Sequence, residues 1–279
     1  MVETRGFHSP ISMITTGDKT PVVTRLLRVK APKCLGAYVL VAEARGGENL
    51  MHYCISDIHG EFDHYQAMLE EIHLTDNDTL YVIGDVIDRA PGGVDVLEDI
   101  MARKNVVMLM GNHEQMCLDT LGKNNVYGAR QLWSSNGGSV TRRELLYHMD
   151  ARRRNAILNF LASLPDKLDI EVNGRRFHLV HGCPGTSHDS RIWERPSLDM
   201  PNPFPDGRTI IVGHTPVCFL LYPDRGEREK WLQSLEDAGE HMTILHTSAF
   251  IDIDCGCGNS TAARRLACLR LEDFAEFYT

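Results

Sequence analysis

Three times between residues 52 and 121 a short apolar run gives way to a polar cluster and then to apolar residues at helical spacing. This succession restricts the chain to few folds. HYCIS leads to DIHGEFD, after which Phe62, Tyr65, Met68, Leu69 and Ile72 recur at helical intervals. TLYVI leads to GDVIDRAPGG, followed by Val94, Leu97, Ile100 and Met101, and NVVMLM leads to GNHEQM and another helical stretch. Strand, loop and helix repeated in series predict a layered α/β fold.

Beyond these units the chain reads as mainly helical from about 126 to 165. RRFHLVHG, RTIIVGHTP and AFIDIDCGCG then read as strands ending in polar or glycine residues, and RRLACLRLED reads as a last strand. There is no repeat of fixed period and no low-complexity segment. Residues 1–50 hold no catalytic-looking cluster, and only Tyr38–Ala42 resembles a strand. The expected organisation is an N-terminal extension over 1–50, partly disordered or packed as an edge strand, and a catalytic domain over 51–279.

At 279 residues, 43% hydrophobic and 24% charged, the chain suits one large domain or a domain with an appendage. No apolar run approaches the ~20 residues of a membrane span, and residues 1–30 lack a signal-peptide pattern. A soluble, cytoplasmic protein with no membrane partner is expected. The net charge of −9 argues against nucleic acid as a partner, whereas a small phosphorylated substrate needs only local positive charge. The eight cysteines form no CxxC pair, and Cys255 and Cys257 make only a CxC, so buried reduced thiols are expected.

Collecting the strand ends gives Asp57 and His59, Asp85 and Asp88 with Arg89, Asn112 and His113, His181, and His214. Sites in open α/β folds form at the carboxyl ends of strands, so these loops can converge. Carboxylates, imidazoles and an amide oxygen, without a thiolate, suit Mn, Fe or Zn. Asp57 and His59, two apart on one loop, can share an ion. The Asp85 carboxylate can bridge two ions about 3.5–4 Å apart.

DIHG, GDVIDR, GNHE, a strand-end HG and GHTP, in that order, resemble the metallophosphoesterase signature as found in phosphoprotein phosphatases. GNHEQM, NGG at 136–138 and IWER at 192–195 are most similar to the bacterial and phage branch of that family, and the resemblance covers residues 52 to about 258. It implies an α/β/β/α sandwich with a dimetal site at the carboxyl ends of the strands. Asp57, His59 and Asp85 would hold the first metal, and Asp85, Asn112, His181 and His214 the second, with Asp85 as the bridge. His113 would protonate the leaving group with Asp88 as its partner, and Arg89 and Arg195 would bind phosphate, with Arg191 a rival for the last role.

The activity implied is phosphomonoester hydrolysis by a serine/threonine or dual-specificity protein phosphatase, using a metal-bridging hydroxide for in-line attack. The implied cofactors are two divalent ions, Mn foremost and Fe or Zn next. The implied partner is a phosphorylated protein or peptide, and the chain would be a monomer or weak oligomer. The chief rival is a symmetrical diadenosine tetraphosphatase, whose likeness lies in the RAPGG turn and in the CGCGN and CLRLED tail. Its substrate would be a dinucleoside polyphosphate. Asp88, GNHE and GHTP favour the phosphomonoesterase. A non-enzymatic nucleotide-binding or scaffold protein would need a glycine-rich phosphate loop, and neither GxGxxG after the first strand nor GxxxxGK[ST] occurs. Glu114 reads as a local cap. The segments expected to govern substrate choice, including 183–207 and the stretch after GHTP, carry no readable code.

Overall fold

The apolar runs form strands in the computed structural model, which describes residues 39–41, 50–123 and 126–279. These strands are β1 (Val39–Val41), β2 (His52–Ile55), β3 (Thr79–Val82), β4 (Val106–Met108), β5 (Lys167–Val172) and β6 (Arg175–Val180), then β7 (Thr209–Val212), β8 (Leu245–His246), β9 (Phe250–Asp252), β10 (Ala267–Arg270) and β11 (Glu276–Tyr278). One sheet has the order β11-β10-β2-β3-β4, the other β1-β5-β6-β7-β9-β8. β2, β3 and β4 run parallel in the first, as do β6, β7 and β9 in the second. The carboxyl ends within each set therefore emerge on one edge.

The helices are α1 (Phe62–Glu71), α2 (Gly93–Ala102), α3 (Asn112–Leu121), α4 (Ala129–Ser135), α5 (Ser139–Arg143), α6 (Ala151–Leu161), α7 (His188–Trp193), α8 (Val217–Leu221) and α9 (Arg225–Ala238). Because side chains alternate across a strand, each sheet feeds two cores. Tyr53, Ile55, Leu80 and Val82 pack with Tyr65 and Met68 of α1, Leu97 of α2 and Leu161 of α6. The intervening Cys54 and Tyr81 meet Ile170, Phe177, Leu179 and Ile211 between the sheets. On the outer face of the second sheet, Val180, Ile210 and Val212 pack with Leu220 of α8. The layers are α/β/β/α, as the resemblance implies.

The sequence reading passed over β5, although Leu168, Ile170 and Val172 are buried in strict alternation with less buried neighbours. Asn173 and Gly174, at φ +50° and +77°, join it to the antiparallel β6, and an Asn-Gly pair is a strong hairpin signal. The short strands β8 and β11 were also unread. Val39–Val41 lies parallel to β5 at the sheet edge. Residues 1–38 and 42–49, the rest of the expected extension apart from Leu50, lie outside the described residues. The stretch after GHTP is α8 and α9, the latter capped at Asp224 by the Glu227 amide. Among the described residues no helix is long and apolar enough to cross a membrane. Six cysteines, including Cys255 and Cys257, are buried free thiols.

Gly84 carries the chain from β3 into Asp85 at φ +79°, where an added Cβ would lie 2.7 Å from Gly111 Cα and 2.8 Å from Gly111 N. Neither backbone can yield without moving the loops after β3 and β4. Gly84→Ala should cost at least about 1–3 kcal/mol through backbone strain alone. A lowered urea midpoint at constant m-value is expected, and an unchanged midpoint would contradict this close approach.

Candidate metal centre

Five loops meet at the seam between the sheets. Those after β2, β3 and β4 carry Asp57 and His59, Asp85 with Asp88 and Arg89, and Asn112 with His113; those after β6 and β7 carry His181 and His214. Backbone bonds tie the loops pairwise: His59 N donates to Asp85 O at 3.0 Å, and Gly213 N to His181 O at 3.0 Å. Two more cross the seam. His214 N donates to Asp57 Oδ2 at 2.9 Å, and His181 Nδ1 lies 2.8 Å from Ile83 O.

Asp57, His59, Asp85, Asp88, Arg89 and His214 all have positive φ, from +49° to +76°. They are six of the nine non-glycine residues in that region among the described residues. Each such residue costs of order 1–3 kcal/mol and persists only where its surroundings over-determine it. The concentration of strain at the candidate site is independent of any motif.

Asp85 is the meeting point. Its Oδ2 lies 3.3 Å from His181 Nε2, 3.8 Å from His59 Nε2 and 3.9 Å from His113 Nε2. His59, Asp85 and His113 form one group with the spacing of metal ligands, and Asp85, His181 and His214 form a second, so the two groups share Asp85. Asp57 stands beside the first, its Oδ1 3.8 Å from His59 Nε2. The Asn112 side-chain oxygen stands beside the second, 3.1 Å from both His181 Nε2 and His214 Nδ1.

The unused nitrogen of each ring is held from behind. His59 Nδ1 lies 3.2 Å from Ile87 O, His181 Nδ1 2.8 Å from Ile83 O, and His214 Nε2 3.0 Å from Trp193 O. A carbonyl can only accept, so in the neutral rings these nitrogens carry the proton and the opposite lone pairs face inward. The Asn112 oxygen also lies 3.0 and 3.3 Å from the two Asp85 carboxylate oxygens. Without a cation the reversed amide is the better fit, its nitrogen donating to Asp85, His181 and His214, and the Asn112 oxygen can turn inward as a ligand. The donor set therefore fits hard divalent ions.

The local field agrees. Burial works to raise the Asp85 carboxyl, yet the imidazoles of His181, His113 and His59 hold it well below the usual carboxylate range. Burial works downward on His181, and Asp85 and Asp57 push it up to about 10. Burial and the charge of His181 bring His214 down to about 3. Burial, Arg89 and His113 depress His59 well below its ordinary value. Asp85 is thus held ionised, the state a metal ligand requires.

Around this centre, His113 Nδ1 lies 2.7 Å from Asp88 Oδ2, which also accepts from Trp133 Nε1 at 2.6 Å. A Cβ on Gly138 would strike the Trp133 ring, which accounts for glycine at the end of NGG. Exposed Arg89 donates to Asn259 Oδ1 at 3.0 Å. Arg195 is exposed, and its charge helps to depress His214. Arg191 is tied to Asp166 Oδ2 at 2.6 Å and to the carbonyls of Gly185 and Thr186.

Glu114 is the expected cap and does more. It does cap its own helix, accepting from Gly111 N at 3.1 Å, but the same buried carboxylate accepts from Asp85 N at 2.8 Å, Val86 N at 2.9 Å and Ile87 N at 3.4 Å. Glu114 therefore fixes the backbone of the shared ligand Asp85. Burial and the Asp85 charge push its carboxyl up to about 7. Trp133 and Asn259 were likewise missed as site residues: no local pattern marks Trp133, and Asn259 ends the CGCGN stretch, whose spacing says nothing of a contact with Arg89.

A family model for calcineurin-like phosphoesterases matches residues 53–272. The chain belongs to the calcineurin-like phosphoesterases. Its His and Asp groups are consistent with the family's dimetal site. Symmetrical bis(5'-nucleosyl)-tetraphosphatases of Salmonella paratyphi B and Salmonella typhimurium are each 42% identical to it over 64 residues, which is 22% of this chain. That stretch is only 23% of the length of those relatives.

A crystal structure provisionally assigned as a diadenosine tetraphosphatase superposes with a TM-score of 0.56 at 14% identity, over 88% of this chain and 98% of its own. A protein serine/threonine phosphatase from Saccharomyces cerevisiae does so with 0.53 at 12% identity, over 80% and 72%. At these identities the likeness is one of fold.

Two variants test the centre. Asp85→Asn should lose bound metal and activity together. Glu114→Gln, which leaves every inward-facing side chain in place, should weaken metal affinity about 10–100-fold, as loss of a supporting partner does. Metal titration followed by elemental analysis reads both; full metal content in Asp85→Asn, or an unchanged metal affinity in Glu114→Gln, would contradict the assignment.

Proposed function

We propose that this chain hydrolyses phosphomonoesters and that its substrates are phosphoserine and phosphothreonine side chains of proteins, with phosphotyrosine as a secondary substrate. The observation that carries this reading is the buried array Trp133–Asp88–His113. A serine or threonine alkoxide leaves poorly unless it receives a proton, so a positioned acid matters most for such esters. Asp88 fixes His113 Nδ1 and leaves Nε2 facing the centre, while Trp133 fixes Asp88. Burial opposes protonation of His113, but the carboxylates of Asp85 and Asp88 overcome it and raise its pKa.

In this reading Asp57, His59 and Asp85 hold one divalent ion, and Asp85, Asn112, His181 and His214 the other. Mn is the first choice, with Fe or Zn compatible with the same donors. When bound, the ions supply Lewis-acid charge that polarises phosphoryl oxygens and lowers the pKa of water. Arg89, held by Asn259, and exposed Arg195 offer paired donors to the phosphoryl oxygens. Arg191, already engaged by Asp166 and two carbonyls, is the weaker candidate for that role.

A second reading is symmetrical hydrolysis of dinucleoside tetraphosphates, favoured by the 42% identity over 64 residues to enzymes of that name. There the leaving group is a nucleoside diphosphate, which departs readily without a proton. The two readings therefore differ in what they ask of His113. His113→Asn should slow hydrolysis of a phosphoserine peptide by about 10²–10⁴-fold and of an activated aryl phosphate far less. Equal losses on both would remove the acid role.

Mn-loaded protein should also release phosphate from phosphoserine peptide faster than it cleaves diadenosine tetraphosphate, and a chelator should abolish the reaction. Faster cleavage of the dinucleotide would establish the second reading.

A further inference from the structure

We propose that Asp166 is a positioning residue for one of the two ion sites, that of Asp85, Asn112, His181 and His214, and not for the other; this rests on the two-ion assignment above. Asp166 acts from outside the centre. Its Oδ2 accepts from Arg191 Nη2 at 2.6 Å and lies 2.8 Å from His188 Nδ1, and both partners stand on α7. Arg191 Nη1 also donates to the carbonyls of Gly185 and Thr186, at 3.3 and 2.7 Å, so one guanidinium closes the loop after β6 onto the segment before β5. The Arg191 and Asp166 side chains are 13% and 19% exposed, and a charge-assisted bond so placed is little screened. Burial works to raise the Asp166 carboxyl, yet Arg191 and His188 hold it below its usual value.

This knot reaches Asn112, His181 and His214 by separate bonds. Gly182, directly after His181, donates from its amide to Arg191 O at 2.6 Å. Two residues past Arg191, Trp193 O meets His214 Nε2 at 3.0 Å. Pro165, directly before Asp166, accepts at its carbonyl from Met110 N at 2.8 Å, two residues ahead of Asn112. His188 Nε2 lies 3.1 Å from Gln115 Oε1 on α3, the helix that Asn112 begins. A carbonyl behind a ligating imidazole sets its tautomer and aim, so a shift of α7 that moves Trp193 is felt at His214 Nδ1. None of these bonds reaches Asp57 or His59. Those two lean on the loop after β3, through Asp57 N to Gly84 O at 3.2 Å and His59 N to Asp85 O at 3.0 Å.

The test is titration of the full chain with Mn, its stoichiometry read by elemental analysis, after each site has been isolated by removing a ligand of the other. His59→Ala leaves the site of His181 and His214, and His214→Ala leaves that of Asp57 and His59. Adding Asp166→Ala should weaken Mn binding by about tenfold in the His59→Ala chain, as loss of an outer support does, and leave it unchanged in the His214→Ala chain. Asp166→Asn, whose oxygen can still accept at the Oδ2 position, should restore most of the lost affinity. Arg191→Ala should reproduce the effect of Asp166→Ala, and it tests the same tether if Asp166→Ala folds poorly. Equal weakening at both sites, or unchanged affinity in the His59→Ala chain, would overturn the inference. Uptake of fewer than two Mn ions by the unsubstituted chain would instead overturn the two-ion assignment, and this inference with it.

Discussion

Everything at the centre turns on one buried carboxylate. Asp85 is 2% exposed, surrounded by three imidazoles, and shared by two groups of candidate ligands. An uncompensated charge there would cost many kcal/mol or neutralise itself. Here the imidazoles hold it ionised, while Glu114 fixes its backbone through three consecutive amides. A second acid buried beside the first supplies position and not ligation.

The two sheets are what allow these groups to meet. Asp57, Asp85 and Asn112 leave strands or strand ends of one sheet, and His181 and His214 leave strands of the other. Neither sheet alone carries both candidate groups. The apolar layer between them, with Cys54, Tyr81, Phe177 and Ile211, offsets the left-handed backbone at six site residues by fixing the strands from which they project. In this sense the core is a mount for a strained polar edge.

Substrate choice depends on groups one step further out. A dimetal centre of the proposed kind would polarise a phosphoryl group whatever it is attached to, so the leaving group and its flanks would have to be read elsewhere. Trp133, Asp88 and His113 form an array suited to a leaving group that needs a proton. That array, more than the metal ligands, is what favours the phosphoprotein reading over the dinucleotide one.

The ordered motifs DIHG, GDVIDR, GNHE and GHTP made the α/β class and the candidate ligands legible, because strand periodicity and ligand chemistry are local properties. The Asn-Gly hairpin before β6 is an equally local signal. Sequence by itself determined which side chains the chain has to offer and at which strand ends. Only the tertiary structure decided that Glu114, read as a local cap, also holds a loop up to 29 residues away, that Trp133 steadies Asp88 from 45 residues on, and that Arg191 is committed to Asp166 while Arg195 is exposed. Those are contacts between distant segments, and their partners are set by how two sheets stack, which no spacing along the chain encodes.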